Sequence, residues 1–340
     1  MRRSYALLTG SSRIRQLFLQ TVPYQVDVTR FHRLRELFGQ RLQLDAPLNR
    51  FTSARVGGPA DALLEVSSVN ELVQAATELW REGLPWMILG GGSNVLVSDA
   101  GVRGVVVLNR ARQVDFQEAS EPPTVWAESG ANFGLVARQA AGRGLAGLEW
   151  AAGIPGTVGG AVLGNAGAHG GDMAGNLVVA DILQHDPKAQ EGMPIRQDWP
   201  VNRLEYAYRN SLLKRQRGKA VVLAATLRLR RSTPEKVQAR IDEYVAYRRQ
   251  TQPPGASMGS MFKNPPGDYA GRLIEAAGLK GARVGDAQIS TLHANFFINH
   301  GQATAQEIYA LIEMARQGVA KKFGVRLELE IELIGEWSDR

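Results

Sequence analysis

The stretch GIPGTVGGAVLGNAG, Gly153–Gly167, carries six glycines in fifteen positions. Glycine gives up more backbone freedom on folding than any other residue, so it collects where a side chain is not tolerated. What this segment holds so closely decides the fold. Thr157 and Asn165 add side-chain donors within it. A second cluster, GGGSN (Gly90–Asn94), follows the apolar run Trp86–Leu89. A Rossmann turn would open a helix of about a dozen residues. Here VLVSDAG follows, short, apolar and bounded by a turn, and it reads as another strand. GGGSN is therefore expected to be a different anion cradle, built from consecutive N–H groups with Ser93 and Asn94 as extra donors. Taken alone, a tight turn needing positive φ explains it equally well. Two such loops in adjacent α/β units favour one large ligand across both over a set of tight helix–strand contacts, and a dinucleotide cofactor has the size and charge.

Outward from these loops the pattern is α/β. Asp61–Val66 reads as a strand, followed by a helix with Leu72, Ala75, Ala76, Leu79 and Trp80 on one face and Asn70 as candidate N-cap. Gly104–Leu108 is a further strand. A second unit holds the strand Val125–Ala127, a helix Phe133–Ala141, and strands Leu177–His185 and Ala220–Arg228. Thr233-Pro234-Glu235 opens a helix whose buried face is Val237, Ile241, Tyr244 and Val245. A helix is expected over Ala270–Ala277, stopped by Gly278. Thr304 and Glu307 form a capping box ahead of Ile308, Leu311, Ile312 and Ala315. Val325–Leu333 alternates with period two and predicts a final strand. Residues 1–45 are basic and weakly patterned, with a helix near Phe31–Phe38. They read as an extension rather than a secretory signal, which makes the cytoplasm the expected compartment.

At 340 residues, 44% hydrophobic and 21% charged, the chain has the composition of a soluble protein of two or three domains. No apolar run approaches the roughly 20 residues that span a bilayer, so no membrane partner is expected. The absence of cysteine excludes disulfides, zinc-thiolate sites and cysteine nucleophiles. The five histidines stand at no helical ligand spacing, which argues against a metal site. The net charge of +7 fits an anionic small molecule better than nucleic acid, because the basic residues are scattered, with small clusters such as Arg248–Arg249 and no aromatic-rich basic block.

Eight ordered pieces now stand together: FTSARVGGPAD, ILGGGSNVLVSDAG, GLEWAAGIPGTVGGAVLGNAG, YRNS, GSMFKNP, AGRLIEAAGLKG, HANFFIN and LELEIELIG. In them the chain, from about Leu48 to Gly335, resembles the UDP-N-acetylenolpyruvoylglucosamine reductase (MurB) family. The resemblance implies an α+β protein: a two-subdomain FAD-binding fold of the vanillyl-alcohol-oxidase type with a C-terminal α+β substrate domain. With it go an N-terminal extension (1–45), FAD-binding subdomains at 46–111 and 112–231, and a substrate domain at 232–340. It implies an enzyme with non-covalent FAD, reduced by NADPH, that converts the enolpyruvyl ether of UDP-N-acetylglucosamine to a lactyl ether, giving UDP-N-acetylmuramate for peptidoglycan; a monomer is the expected state. The glycines would let backbone N–H groups approach FAD.

On this resemblance Arg209 of YRNS stabilises the enolate, Ser260 of GSMFKN donates the proton to the α-carbon, and Glu330 orients donors there. FAD would be held by Arg55, Gly57, Gly90, Gly91, Gly92, Ser93, Asn94, Gly153, Ile154, Pro155, Gly156, Thr157, Gly159, Gly160 and Asn165. Lys263, Asn264 and His293 would contact substrate, although His293 reads equally as a packed loop histidine. Glu328, Glu330 and Glu332 share one face, and two of the three are expected to be solvated, with Arg209 or Lys263 as a nearby cation. Thr291-Leu292 and Gly285-Asp286 depart from the family pattern, and a tyrosine-bearing insert between Leu229 and Gln250 is missing, which places the chain in the shorter branch. A second reading is an oxidase or dehydrogenase of the same fold, in which His169 near the flavin loop could carry the flavin covalently.

Overall fold

The computed structural model describes residues 28–186 and 193–337. In the first unit, α1 (His32–Phe38) buries Leu34 and Phe38 and leads into β1 (Leu42–Pro47). β1 pairs antiparallel with β2 (Pro59–Val66). Helix α2 (Val69–Arg81) follows, with Leu72, Ala75, Ala76 and Leu79 buried as their spacing predicts. Its N-cap is Ser68 rather than Asn70: Ser68 is extended and its hydroxyl accepts the Glu71 N–H, whereas Asn70 already lies in the first turn. Then come β3 (Trp86–Leu89), β4 (Val95–Val97) and β5 (Val102–Asn109). The sheet order is β1-β2-β5-β3, with β2, β5 and β3 parallel. Phe31, Leu34, Phe38 and Leu42 share one core with Leu72 and Leu79. The expected boundary at 45 is thus overturned for residues 31–45, which belong to this unit. The rest of the expected extension, 1–27, lies outside the described residues.

The second unit starts with β6 (Val114–Gln117), β7 (Thr124–Glu128), α3 (Phe133–Gly142) and β8 (Leu145–Ala146). It continues with α4 (Val158–Gly164), β9 (Gly167–Ala168), β10 (Gly171–Asp172), α5 (Met173–Asn176), β11 (Leu177–Gln184) and β12 (Ile195–Pro200). It ends with α6 (Leu212–Arg215), β13 (Ala220–Arg228), β14 (Arg230–Arg231) and α7 (Pro234–Thr251). Its antiparallel sheet runs β12-β11-β13-β7-β6. Thr233 caps α7 and Pro234 opens it, as predicted. Val237 and Ile241 of α7 are buried in the same core as Val136 and Ala140 of α3, so the expected boundary at 231 falls too early and α7 goes with the second unit.

The third unit holds α8 (Ala270–Ala276), a small antiparallel sheet of β15 (Arg283–Val284), β16 (Ala287–Ile289) and β17 (Phe297–Asn299), then α9 (Ala305–Phe323) and β18 (Glu332–Ile334). The Thr304–Glu307 capping box opens α9, and Ile308, Leu311, Ile312 and Ala315 are buried beneath it. The strand expected over 325–333 is cut down to Glu332–Ile334. Leu327 and Ile331 do face inward, but a facing pattern is not a ladder. Upstream of β18 the segment makes one isolated bridge among the described residues, Leu329 to Phe262, and no ladder.

The chain's end returns to the first unit, where β18 lies parallel to β4. Asp99 reinforces the junction: its two carboxylate oxygens accept the Ala305 and Gln306 N–H groups at 2.9 and 2.9 Å, at the start of α9. No helix among the described residues is long and apolar enough to cross a membrane.

Candidate active site

A cavity of about 1090 Å³ opens where the three units meet. Both glycine loops line it, and they touch. A Cβ on Gly90 would lie 2.5 Å from Thr157 Oγ1, and one on Gly91 3.0 Å from Gly156 Cα. Ser93 Oγ donates to the Pro155 carbonyl at 3.1 Å. So part of the glycine requirement is the approach of one loop to the other. The main-chain N–H groups of Gly90, Gly91, Gly92, Ser93, Asn94, Gly156 and Thr157 find no acceptor among the described residues. Together they make a concave row of open donors, the arrangement an anion fits.

The expected cofactor residues divide here. Gly90 to Asn94, Ile154, Pro155, Gly156, Thr157, Gly159 and Gly160 line the cavity. Gly153 does not; its bare α-carbon makes room for Arg248, whose Cδ lies 2.8 Å from where a Cβ would be. Asn165 caps α4 in left-handed geometry, donates to the Ala207 carbonyl and accepts the Ala174 N–H, and it does not line the cavity. The Asn94 amide goes to the Glu330 carbonyl at 3.2 Å. Arg55 is exposed, and Gly57 packs against Val97, so the first motif supports β4 from outside the cavity.

The chemistry-bearing side chains gather on the opposite wall. Arg209, Ser260 and Glu330 all line the cavity. Ser211 explains the motif that presents Arg209: its hydroxyl caps α6 and donates to the Leu163 carbonyl at 2.7 Å. Arg209 itself takes φ +54 in the tight turn before that cap. Its NH2 group donates to the Gly167 carbonyl at 2.9 Å. Its Nε lies 2.8 Å from Glu330 Oε1, an ion pair in which the buried Nε–H is not directed at the oxygen. Burial pushes the Glu330 carboxyl above the usual glutamate range, against the opposing pull of Arg209, Lys214 and Lys263. Ser260 follows Gly259 (φ +75) and bridges to Phe296, and its hydroxyl makes no hydrogen bond among the described residues.

The expected substrate residues stand elsewhere. Lys263 Nζ reaches Glu328 at 3.5 Å, Asn264 Oδ1 accepts the Ala270 N–H at the start of α8, and neither lines the cavity. His293 is a packed loop histidine: Nδ1 accepts the Asn295 N–H, the ring sits 5.0 Å from Phe296, and burial pushes it below the usual histidine value. Of the three glutamates only Glu328 is solvated, because Glu332 pairs with Lys214 at 3.4 Å and Arg217 at 3.2 Å. The departures from the family pattern lie off the cavity too. Gly285 abuts the Glu307 carboxylate, Asp286 accepts the Gln302 N–H, and Leu292 is exposed.

Lys214, Arg217 and Tyr247 line the cavity and had not been singled out; Lys214 and Arg217 form one charged end with Glu332, and Tyr247 and Arg248 enter from α7. Of the basic pair noted on α7, Arg248 faces the cavity and Arg249 faces solvent. Their only signal was position: Lys214 three residues after the capping Ser211, and Arg248 one helical turn beyond Tyr244. His169 also lines the cavity, stacked on Tyr244 at 4.1 Å with 8° between the rings.

Residues 60–184 match the FAD binding domain family, and residues 250–334 match the family described as UDP-N-acetylenolpyruvoylglucosamine reductase, C-terminal domain. The chain is 47% identical over 296 residues to a UDP-N-acetylenolpyruvoylglucosamine reductase of Chloroflexus aggregans, covering 86% of this chain and 97% of that protein. It is 46% identical over 294 residues to the enzyme of the same name from Rubrobacter xylanophilus, covering 86% and 95%. The crystal structure of UDP-N-acetylenolpyruvylglucosamine reductase (MurB) from Thermus caldophilus superposes with a TM-score of 0.69 at 37% identity, covering 86% of this chain and 98% of that one. With its FAD-binding units and its C-terminal domain both accounted for, the chain belongs to the UDP-N-acetylenolpyruvoylglucosamine reductase (MurB) family.

Proposed function

We propose that the protein reduces UDP-N-acetylglucosamine enolpyruvate to UDP-N-acetylmuramate for peptidoglycan synthesis, using non-covalent FAD and NADPH as hydride donor. The observation that carries this reading is the convergence of Arg209, Ser260 and Glu330 on the same cavity as both glycine loops. The residues present fit FAD. The open N–H groups of Gly90 to Asn94, Gly156 and Thr157 would hold its pyrophosphate, and the volume of about 1090 Å³ exceeds the roughly 300–1,000 Å³ of an ordinary small-molecule pocket. When bound, FAD supplies the hydride that the β-carbon of the enolpyruvyl group accepts.

The protein's own task begins where charge develops at the α-carbon and spreads into the carboxylate. Arg209 meets that charge with a permanent cation whose Nε–H is not already directed at Glu330. Ser260 gives its proton to the α-carbon; a hydroxyl is a weak acid, and only a strongly basic carbon draws the proton from it. Glu330 holds Arg209 in place by the 2.8 Å contact. We place the enzyme in the cytoplasm, as a monomer without a nucleic-acid or membrane partner, a reading in keeping with two soluble nucleotide substrates. Incubation with NADPH and the enolpyruvyl substrate should give a product heavier by two hydrogens in mass spectrometry. Unchanged substrate in the presence of bound flavin would refute the assignment. Flavin that stays with the chain on denaturation would favour the rival oxidase with a covalent link.

A further inference from the structure

Strand β3 ends where the row of open N–H groups begins, and it lies at the edge of its sheet, paired with β5 alone. Successive residues of a strand turn their N–H and C=O groups to opposite edges. The Pro85 carbonyl accepts the Val105 N–H at 2.9 Å, so Pro85, Met87 and Leu89 face β5. Trp86 and Ile88 therefore turn their main-chain groups to the free edge, and both residues line the main cavity. The N–H and C=O of Ile88 find no partner among the described residues. Trp86 and Ile88 pack into one core with Val221 and Leu223 of β13, and Ala220 and Val222 of that strand line the cavity too. The Trp80 indole crosses from α2 to the second unit here. Its Nε1 donates to the Gly218 carbonyl at 3.1 Å, and its ring stacks on His185 at 5.1 Å with 13° between the planes. Trp86 meets it edge-on at 5.3 Å.

The two ends of the GGGSN loop differ in what they adjoin. Asn94, at the far end, donates to the Glu330 carbonyl, on the side of the chemistry-bearing residues. Ile88 stands two positions before Gly90, about 7 Å away at the roughly 3.3 Å rise of a strand. A dinucleotide with its pyrophosphate on the N–H row and its reacting ring beside Glu330 carries its other nucleoside along β3. There one strand residue presents a donor and an acceptor side by side, the pair that two antiparallel residues exchange. Adenine answers that pair with its N6 amino donor next to its N1 acceptor.

We infer that the free edge of β3 reads the adenine of the flavin dinucleotide: the Ile88 N–H donates to N1, the Ile88 carbonyl accepts from the N6 amino group, and the Trp80–Trp86 pair closes the site beyond. This rests on the FAD reading above. It makes recognition of the base a main-chain property of this strand, with no side-chain donor required.

The test replaces the flavin of the purified full-length chain, with FAD itself restoring the original spectrum as control. Flavin hypoxanthine dinucleotide carries an acceptor at position 6 and a donor at N1, the reverse of adenine, and its pyrophosphate fixes which way the base can lie. It should bind the wild type about tenfold more weakly than FAD, read from flavin fluorescence quenching. Equal affinity overturns the inference. Ile88→Pro removes the outward N–H and spares the ladder to β5, the placement an edge strand tolerates. It should narrow the ratio of the two affinities, because adenine loses a bond and hypoxanthine loses a clash; an unchanged ratio overturns the inference. Should that variant not fold, 8-azido-FAD on the wild type decides the matter. Illumination should label the segments 80–90 or 218–222, and label found only elsewhere overturns the assignment. Failure of the FAD reading would show separately, as a purified wild-type chain that carries no flavin.

Discussion

Arg209 carries much of the account in one side chain. Its left-handed backbone, its bond to Gly167 and its contact with Glu330 fix the guanidinium before any substrate arrives. Ser260 is the other half of the proposed chemistry, and the two roles separate experimentally. Ser260→Ala should leave flavin bleaching by NADPH nearly unchanged and slow reoxidation by the enolpyruvyl substrate by about 10²–10⁴-fold. Equal slowing of both half-reactions in stopped-flow would contradict the proton-donor role. Glu330 gives a pH prediction. Its folded value lies above that of an unfolded glutamate because burial disfavours the charged form. The folded state therefore binds the extra proton. Its stabilising contribution is full below the ordinary glutamate range and falls as pH rises through the raised value. Glu330→Gln should flatten that limb of a thermal-midpoint profile against pH. Short motifs pointed to Arg209 and Ser260, and both line the cavity. Asn165 and Lys263 were misread because a sequence shows a donor without showing that a carbonyl or carboxylate has already claimed it.

The elements were legible wherever a local signal fixes them. Thr233-Pro234 and the Thr304–Glu307 box started helices where they were expected to, since a cap is satisfied within one turn. The strand over 325–333 failed because alternation sets which side chains turn inward, whereas a ladder needs a free partner. The glycine loops are elements in this sense too. Gly92 has φ +61, and a Cβ there would lie 2.0 Å from the Phe51 carbonyl oxygen. Gly92→Ala should lower stability by about 1–3 kcal/mol and lose flavin, read as the flavin-to-protein absorbance ratio. Gly83→Ala, with φ +62 and open space around it, should cost about 1 kcal/mol at most and keep the flavin. Asp99 belongs at this scale as well. Asp99→Ala strips two caps from α9 and should cost about 1–2 kcal/mol in denaturant unfolding.

Across the whole molecule, the units share cores, with Leu183, Val221 and Leu223 packed into the first unit's core and Ala54, Val56 and Leu96 into the third's, and long-range contacts add to this. β18 on β4, Asp99 on α9 and Asn299 on the Ala54 carbonyl bring the C-terminal unit back over the flavin units. None of these contacts was readable in advance, because each pairs residues some two hundred positions apart. For the same reason the expected boundaries at 45 and 231 moved: α1 was assigned to the extension and α7 to the substrate domain, whereas their apolar faces dock on the cores of the first and second units. That closure puts Ser260 and Glu330, from one unit, against glycine loops from the other two. The central claim is that this shared cavity runs two half-reactions in turn. It is tested most directly by anaerobic absorbance of the purified flavoprotein, to which NADPH is added first and UDP-N-acetylglucosamine enolpyruvate second. The account predicts loss of the oxidised flavin band, then its return upon the second addition. Bleaching without return would contradict it.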